Sequence, residues 1–327
     1  MPSASAILAA SVPTARLVSP EDRGALLSLS AERFGAPPDL EDWTWKYDAC
    51  PHRTASVVVE EEGRLLVHFG GWGTRYRGAA GDLPGTAAVD VMTARAAGHL
   101  AKGRLYAAAG EAFFRENAAG GVPFVFGFPN DKAARVGEGL LGYVPVERAG
   151  RLTRPIAGTG APRRTHALGL AGQVTPAHDA LAEALHARAG WRTDRSRAAL
   201  AWRLARPGVR YRVVELHDPR ARSLGYAALR LVMERALLVD LQIADEENGP
   251  LPELLANVAT VAAPMGASRL DIRLPRTGLL ARRLREELGF VDEDSDTSFT
   301  VRPLDPAFDL GAAARAFDYR YLDHDVF

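Results

Sequence analysis

Hydrophobic and polar positions follow two periodic patterns along the N-terminal part of the chain, one typical of strands and one typical of helices. Residues 15–20 and the two apolar runs within residues 55–78 alternate as strands do, and the runs are separated by a Glu-Gly turn. Residues 21–34 and 39–47 have a helical period, and Asp39 is placed to cap the second helix. This mixture predicts a protein of the α/β class.

The next part of the chain alternates strands with helices. Strands are predicted at 86–93, 123–129 and 143–152, and the middle one is almost wholly apolar, as expected of a buried strand. One helix begins near Gly103 and another spans 130–142. The first helix has one apolar face, which predicts that it lies on a sheet. The residues of this face are Leu105, Ala109, Ala112 and Phe113.

The pattern then returns after residues 155–172, a stretch rich in Gly, Pro and Ala that is typical of a linker. Three motifs recur at offsets of 157, 150 and 147 residues. The pairs are WKYDACP at Trp45 with WRLARP at Trp202, VDVM around Asp90 with VDLQ around Asp240, and LGYV at Leu141 with LGFV at Leu288. A duplication predicts two domains, 1–154 and 173–327, although chance similarity of short apolar motifs is the alternative.

Length and composition agree with a two-domain globular protein. The chain has 327 residues, of which 47% are hydrophobic and 24% charged. Its 40 basic and 40 acidic residues give no overall field that would attract nucleic acid or an acidic membrane. We therefore expect no nucleic-acid partner and no membrane association. A monomer or a dimer is expected, since an internal duplication can replace the dimer that a single copy would form.

Cysteine and histidine usage argues against disulfides and metals. The single Cys50 excludes an internal disulfide and fits a reducing compartment, so we expect a cytoplasmic protein. His52, His68 and His99 lack the spacing of metal ligands and have no cysteine partners. No metal cofactor is expected.

The segment between the strand at 86–93 and the following helix has the features of an anion site. Gly98 and Gly103 allow a ligand to approach the backbone closely, and the helix N-terminus offers unpaired N–H groups. Four further side chains add donors. They are Arg95, His99, Lys102 and Arg104. The segment predicts a site for a phosphate-bearing cofactor, with a simple glycine turn as the alternative, and the missing GK[ST] motif argues against a kinase-type P-loop.

These residues resemble the GCN5-related N-acetyltransferases, or GNAT proteins. DVMT followed by ARAAGHLAKGRL is similar to the strand and pyrophosphate loop of that family. A second family marker is Asn, then Ala three residues later and Gly-Phe twelve residues after the Asn. Asn130, Ala133 and the pair Gly142-Tyr143 keep this spacing.

The resemblance covers residues 14–154 and, more weakly, 173–303. It implies two tandem GNAT-like domains, each with a mixed, mostly antiparallel central sheet flanked by helices. It also implies acetyl-CoA or another acyl-CoA as co-substrate, with the thioester oxygen near the amides of Val91 or Met92. The remaining implied cofactor contacts are Gly98, His99, Lys102, Gly103, Arg104 and Asn130.

The second copy differs at the loop that would bind the pyrophosphate. After VDLQIA it has Asp245, Glu246 and Glu247, and no cationic residue follows in GPLPELL. Carboxylates at this position would repel a diphosphate. We therefore expect the second copy to be degenerate and to bind no cofactor.

Two carboxylates are candidates for acid and base chemistry. Asp90 is a carboxylate in an otherwise apolar strand and could deprotonate an acceptor amine, or it could be a structural acid paired with an arginine. The family's usual acid, a tyrosine, is replaced by Glu138, which could donate a proton or simply lie on a solvated helix face. Tyr106 or Tyr143 could instead assist the leaving thiolate.

The resemblance therefore implies an acyl-CoA-dependent N-acyltransferase whose first domain transfers an acetyl group directly to a primary amine. The acceptor would be a small molecule or a peptide. A non-catalytic GNAT-fold protein that binds acyl-CoA or acts as a scaffold is the first alternative. An aminoacyl-tRNA-dependent transferase is the second, and the neutral charge balance disfavours it.

Overall fold

The structure is a computed structural model. It describes residues 13–35, 39–52, 54–79, 81–97, 99–156, 166–188 and 190–324. The strands are β1 (Thr14–Leu17), β2 (Val57–Glu61), β3 (Arg64–Gly78), β4 (Gly81–Thr93), β5 (Phe124–Gly127), β6 (Val144–Arg148), β7 (Gly150–Pro155), β8 (Ala167–Ala171), β9 (Trp191–Thr193), β10 (Arg212–His217), β11 (Ser223–Val232), β12 (Arg235–Ile243), β13 (Arg269–Leu274), β14 (Val291–Asp292), β15 (Ser298–Pro303) and β16 (Phe317–Asp318).

Helices cover both sheets. The α-helices are α1 (Arg23–Phe34), α2 (Leu40–Trp43), α3 (His99–Ala119), α4 (Asp131–Leu141), α5 (His178–His186), α6 (Arg197–Leu204), α7 (Leu251–Ala262), α8 (Leu279–Glu286) and α9 (Leu310–Ala314). Asp39 caps α2 as predicted, since its side chain accepts from the Glu41 N–H. The predicted helix at 39–47 then continues as a π-helix over Thr44–Asp48, a conformation often found at functional sites.

The first sheet has the order β1-β2-β3-β4-β5-β15-β6, and β9 with β16 extends it beside β3. The second has the order β14-β7-β13-β12-β11-β10-β8. Neighbouring strands are antiparallel except for the pairs β4 with β5, β9 with β16, and β12 with β13. The expectation of two mixed, mostly antiparallel sheets flanked by helices is confirmed.

The first sheet is covered on both faces. The predicted apolar face of α3 is buried against it, and Phe113, which has no exposed surface, packs on Phe69 with ring centroids 4.9 Å apart. Removing one such side chain from water contributes about 1.5 to 3 kcal/mol. On the other face, Leu26 and Trp43 pack on Val58.

The second sheet lies between two helix pairs. Leucines of α7 and α8 form one core with β12 and β13, and leucines of α5 and α6 form another on the opposite face. This sheet therefore has the same layered construction as the first.

The two sheets exchange equivalent strands. β7 follows the first LGYV motif, yet it lies in the second sheet between β13 and β14, and β15 follows the LGFV motif and lies in the first sheet between β5 and β6. The division at residues 154 and 172 stays a prediction, but sheet membership crosses it in both directions. β8, inside the predicted linker, pairs with β10.

A reciprocal contact joins the two halves at equivalent positions. The Trp45 indole N–H donates to the Trp202 carbonyl at 2.9 Å, and the Trp202 indole N–H donates to the Trp45 carbonyl at 3.2 Å. The two rings stack with centroids 5.2 Å apart. Contacts in which each partner repeats the other's bond are typical of two-fold symmetry, so the duplicated motifs meet across a local two-fold relation.

Candidate active site

A cleft opens where two parallel strands of the first sheet separate. β4 and β5 pair only at Thr86 with Val125 and Ala87 with Phe126. Beyond Ala87, β4 runs on to Thr93 while β5 ends. The space between them, which we call the β4/β5 cleft, has a volume of about 690 Å3.

The wall of the cleft on the β4 side is a β-bulge. Gly70 pairs with Val89 and His68 pairs with Met92, so Asp90 and Val91 both lie opposite the single residue Phe69. Asp90 has φ 45°, in the left-handed region. A bulge interrupts the hydrogen-bond ladder and turns the strand, and here it places Asp90 and Val91 in the cleft lining.

The Asp90 carboxylate has two partners from the π-helix. Lys46 Nζ lies 2.8 Å from Asp90 Oδ2, and the Tyr47 hydroxyl donates to the same oxygen at 2.6 Å. Burial alone would raise the pKa of Asp90, but the Lys46 ammonium and these hydrogen bonds outweigh it, so the pKa lies below its ordinary value. Asp90 is therefore ionised and paired at neutral pH, with Lys46 rather than with an arginine.

His68 contacts the same bulge from β3. Its Nδ1 lies 2.9 Å from the Asp90 carbonyl oxygen, and the residue has no exposed surface. Phe69 lines the β4/β5 cleft, and the adjacent His68 lines a separate groove of about 570 Å3. Successive residues of a strand point to opposite faces, so the two cavities lie on opposite sides of the sheet.

This second cavity, which we call the α1 groove, lies between the start of α1, the π-helix and the first strands. Its polar lining includes Arg23, Lys46, Asp48 and Glu116. Arg23 and Asp48 are paired with each other at 2.6 Å and are both partly exposed.

The start and end of α4 explain the spacing of the second sequence marker. Asn130 is the N-cap, and its side chain accepts a hydrogen bond from the Ala133 N–H at 3.0 Å. Gly142 ends the helix with φ 64°, a left-handed conformation that favours glycine. The capped helix places Asn130 and Ala133 in the lining of the β4/β5 cleft, and Tyr143, directly after the helix, also lines it.

Two tyrosines lie in the cleft. Burial raises the pKa of Tyr106 to about 12 and the pKa of Tyr143 well above 10. The Tyr143 hydroxyl is buried and has no hydrogen-bond partner among the described residues. Both phenols are thus protonated at neutral pH and could donate a hydrogen bond to a bound group.

The predicted phosphate segment lies at the N-terminus of α3, which begins at His99. Gly98 lies outside the described residues, as do the side chains of residues 99–101. Lys102 and Gly103 are half-buried and Arg104 is exposed. A Cβ added at Gly103 would meet the Leu140 side chain only at 4.0 Å, so the helix start leaves space above it. The described cleft lining contains Tyr106 of this helix but not residues 102–104.

Two other predicted site residues lie away from the cleft lining. Met92 is 1% exposed and packs in the core. Glu138 is exposed on α4, as on a solvated helix face, and is not among the described lining residues.

The equivalent region of the second sheet is closed. Asp240, the counterpart of Asp90, has no exposed surface, accepts a hydrogen bond from Tyr226 and pairs with Arg195 at 2.8 Å. Arg195 is itself buried and also binds Asp323 at 2.9 Å. The carboxylate therefore belongs to a structural network that ties the C-terminal segment to the sheet.

That segment, residues 319–324, occupies the place where β12 and β13 separate. Their parallel pairing ends at Leu238 with Ile272. Beyond it, Arg320 Nε donates to the Leu241 carbonyl at 3.3 Å. Within the paired part, the Tyr321 hydroxyl donates to Asp271 Oδ1 at 2.6 Å.

Two further features of the described residues bear on the kind of site. They contain no group of three or more His, Cys, Asp or Glu side chains that could hold a metal ion. Every helix among them is too short or too polar to span a lipid bilayer.

No protein-family model and no curated protein matches the chain. Solved structures do resemble it. A GCN5-related N-acetyltransferase from Kribbella flavida has a TM-score of 0.64 at 15% identity, covering 94% of this chain and 81% of that one. Another from Anabaena variabilis ATCC 29413 has a TM-score of 0.66 at 11% identity, covering 90% and 73%.

These similarities show that the chain has the GNAT fold. The tandem arrangement is also matched. A tandem GNAT protein from the clavulanic acid biosynthesis pathway has a TM-score of 0.59 at 15% identity. The similarity covers 91% of this chain and 100% of that protein. The expected resemblance to tandem GNAT proteins is thus confirmed for the fold.

Sequence patterns did not predict which residues surround Asp90. Lys46 belongs to the repeated WKYDACP motif, and His68 is one isolated histidine in a strand. Tyr47, like Trp43 and Trp45, is expected from the sequence either to line an acceptor pocket or to pack in the core. The signal that could have found them is polarity, since a lysine and a histidine interrupt otherwise apolar surroundings. Tyr106 and Tyr143, the predicted alternatives to Glu138, both line the cleft.

Proposed function

We propose that the chain is an acyl-CoA-dependent N-acyltransferase that uses the β4/β5 cleft of the first sheet. The observation that carries the proposal is the separation of two parallel strands beside a bulge, which gives a thioester access to unpaired strand amides. The pantetheine arm would lie between the strands, and the pyrophosphate would bind at the N-terminus of α3, where the helix dipole favours anions. Acetyl-CoA is the first donor to test.

Val91 is the preferred residue for the oxyanion contact. It lies within the bulge, where the ladder of β3 and β4 is interrupted, whereas Met92 pairs with His68. A strand amide that is not used by the ladder can donate to the thioester oxygen as negative charge develops there.

Tyr143 is the preferred donor to the leaving thiolate. Its hydroxyl is buried in the cleft lining with no partner among the described residues, and burial keeps its pKa well above 10. Such a phenol stays protonated at neutral pH. Glu138 has no part in this proposal because it is exposed and is not among the described cleft residues.

Asp90 is assigned to acceptor binding. Its carboxylate is ionised through the Lys46 pair, and 23% of its side chain is exposed. A paired carboxylate with a lowered pKa is a weak base, but it can still attract the ammonium form of an amine. The acceptor class proposed is therefore a primary amine, on a small molecule or at a peptide terminus.

Isothermal titration with acetyl-CoA tests the cofactor site. We expect about one site per chain, and an affinity reduced about tenfold or more in the double variant Lys102→Ala with Arg104→Ala, since charge-assisted hydrogen bonds contribute about 1.5 to 3 kcal/mol before solvent screening. Arg115→Ala is the matched control, because Arg115 is exposed at the other end of the same helix. Unchanged affinity in the double variant would refute the assignment of the phosphate site.

A non-catalytic protein that binds acyl-CoA is the second candidate. Two observations favour it: Asp90 is paired with Lys46, and Glu138 is exposed. Acetyl-CoA binding without release of free thiol, measured with a panel of primary amines, would support this second function.

A further inference from the structure

His68 is a buried base that the proposed function does not yet use. It pairs with Val58 on β2, and its ring packs against two aromatic side chains of the helical layer, which also contact each other. The ring centroids of Trp43 and Tyr47 are 5.9 Å and 6.2 Å from the imidazole. The side chain has no exposed surface but lines the α1 groove.

The hydrogen bond to the bulge fixes which nitrogen carries the proton. Nδ1 lies 2.9 Å from the Asp90 carbonyl oxygen, which can only accept, so Nδ1 must be the protonated nitrogen. In the neutral ring Nε2 then has a free lone pair. Nε2 is buried and has no hydrogen-bond partner among the described residues.

The charge of the ring follows from its surroundings. Burial lowers the pKa of His68 below its ordinary value, and this outweighs the opposite effect of the Asp90 carboxylate. Lys46 lowers the pKa further and Asp22, from the start of α1, raises it slightly. His68 is therefore neutral at pH 7, with Nε2 able to accept a proton.

A purely structural role would not require this arrangement. Holding the bulge needs only the Nδ1 hydrogen bond. A buried polar atom left without a partner costs about 1 to 3 kcal/mol, so an unpartnered Nε2 on a side chain that lines a cavity points to a group that arrives from that cavity. The groove and the β4/β5 cleft meet at the same bulge, because Asp90 contacts His68 with its carbonyl and lines the cleft.

We propose that His68 Nε2 accepts the proton of the acceptor amine, which enters through the α1 groove; this inference rests on the proposed function. The ammonium first loses one proton to solvent, which leaves the neutral amine. As the amine nitrogen forms its bond to the thioester carbon, the second proton that it loses moves to Nε2. The C–S bond breaks and its electron pair stays on the CoA sulfur. The sulfur is protonated by the Tyr143 phenol, which regains its proton from water, and the imidazolium releases its proton to solvent.

The decisive variant is His68→Asn. Its amide nitrogen can replace Nδ1 as donor to the Asp90 carbonyl, but the variant has no basic nitrogen. General-base catalysis contributes about 10²- to 10⁴-fold. With spermidine, glucosamine, lysine and trialanine as amine probes, we expect acetyl-CoA affinity to be unchanged and kcat to fall about 100-fold or more. His68→Gln, which keeps an acceptor oxygen near the Nε2 position, should retain KM but not kcat.

His178→Gln is the matched control. His178 is equally buried, and its Nε2, whose position a glutamine amide nitrogen can take, lies 2.7 Å from the Arg195 carbonyl in the second half of the chain. We expect this variant to turn over as the wild type does. In the wild type, kcat should fall at acidic pH as His68 becomes protonated, at a pH below the ordinary histidine range. This fall should be absent in His68→Asn.

A second measurement does not depend on the variants folding. Long-range ¹H–¹⁵N spectra of the wild-type protein report the tautomer of each histidine, and through-bond correlation of each ring with its own backbone assigns the signals. A neutral ring protonated at Nδ1 supports the proposal, and a ring protonated at Nε2 overturns it.

The outcomes separate this inference from the proposed function. If the wild type consumes acetyl-CoA with none of the amines, the proposed function fails and the role of His68 fails with it. If the wild type turns over and His68→Asn is as fast, only the role of His68 is overturned. A slow His68→Asn with normal acetyl-CoA affinity supports both.

Discussion

Asp90 lines one cavity and contacts residues that line another. Its backbone adopts a left-handed conformation at the bulge, so its carbonyl meets His68 while its carboxylate meets Lys46 and Tyr47. The β4/β5 cleft and the α1 groove are therefore linked through a single residue. The ion pair between Lys46 and Asp90 should keep the Asp90 carboxylate charged and stabilise the fold around it.

Replacing Lys46 with methionine tests this pair. Lys46→Met keeps most of the side-chain volume and removes the charge, so we expect the pKa of Asp90 to rise. We expect the free energy of unfolding at pH 7 to fall by about 2 kcal/mol, between the values for exposed and buried pairs. Urea unfolding gives the second quantity, and carboxyl ¹³C shifts give the first.

The pH dependence of this effect has a definite sign. Since the pKa of Asp90 is lowered in the folded protein, its contribution is present above the unfolded value of about 3.9 and is lost as the pH falls through the folded pKa. The difference between wild type and Lys46→Met should thus shrink on acidification. Arg23→Met, at an exposed pair with Asp48, should cost less than about 1 kcal/mol; an equal loss in both variants would contradict the special role of Lys46.

At the scale of the elements, the cleft exists because β4 continues past the end of its pairing with β5. Helix α4, capped by Asn130, begins on the other side of this gap. No single side chain defines the cavity. Its width is set by the parallel pairing at Thr86 and Ala87 and by the position of the capped helix.

Filling the cleft from α4 should therefore exclude a ligand without disturbing the core. Ala133 is exposed and lines the cleft. We expect Ala133→Trp to weaken acetyl-CoA binding by about tenfold or more, a change of about 1.4 kcal/mol in binding free energy, while the melting temperature stays close to that of the wild type. Titration calorimetry and differential scanning fluorimetry measure the two quantities.

The control for this change is Ala118→Trp. Ala118 is exposed near the end of α3 and is not among the described cleft residues. Normal binding by both tryptophan variants would mean that the ligand does not use the β4/β5 cleft.

Local patterns were sufficient to predict most elements. The capping residues Asp39 and Asn130 mark helix starts, and the apolar spacing of α3 gave its buried face correctly. These signals act over a few residues, and the structure follows them with small shifts in the boundaries. For example, the predicted helix start near Gly103 is observed at His99.

Contacts between distant residues could not be predicted in this way. Lys46 and Asp90 are separated by 44 residues, and no periodicity relates them. The predicted strand at 143–152 proved to be parts of two strands, β6 and β7, which lie in different sheets. The exchange depends on which edge each strand completes, which is a property of the whole fold.

At the scale of the whole molecule, the two copies have the same construction and opposite states. In the first, the carboxylate at the bulge is partly exposed between two cavities, and in the second, Asp240 is fully buried with Arg195. The C-terminal segment, through Arg320 and Tyr321, covers the second sheet. The first copy thus has an open cleft beside its carboxylate, whereas the corresponding carboxylate of the second copy is enclosed.

The exchange of β7 and β15 predicts that neither half is stable alone. Without β15, the first sheet would expose the edge of β5 as a template for aggregation. Without the second sheet, Leu152 of β7, which has no exposed surface, would lose its core.

A protease site inserted within residues 157–165 allows this to be tested on the folded chain. After cleavage, we expect both fragments to elute together at the size of the intact protein, and to separate only in denaturant. The fragment 1–156 expressed by itself should be insoluble, whereas co-expression with 166–327 should restore a complex that binds acetyl-CoA. Two fragments that elute separately, each with a cooperative unfolding transition, would show that the strand exchange does not hold the halves together.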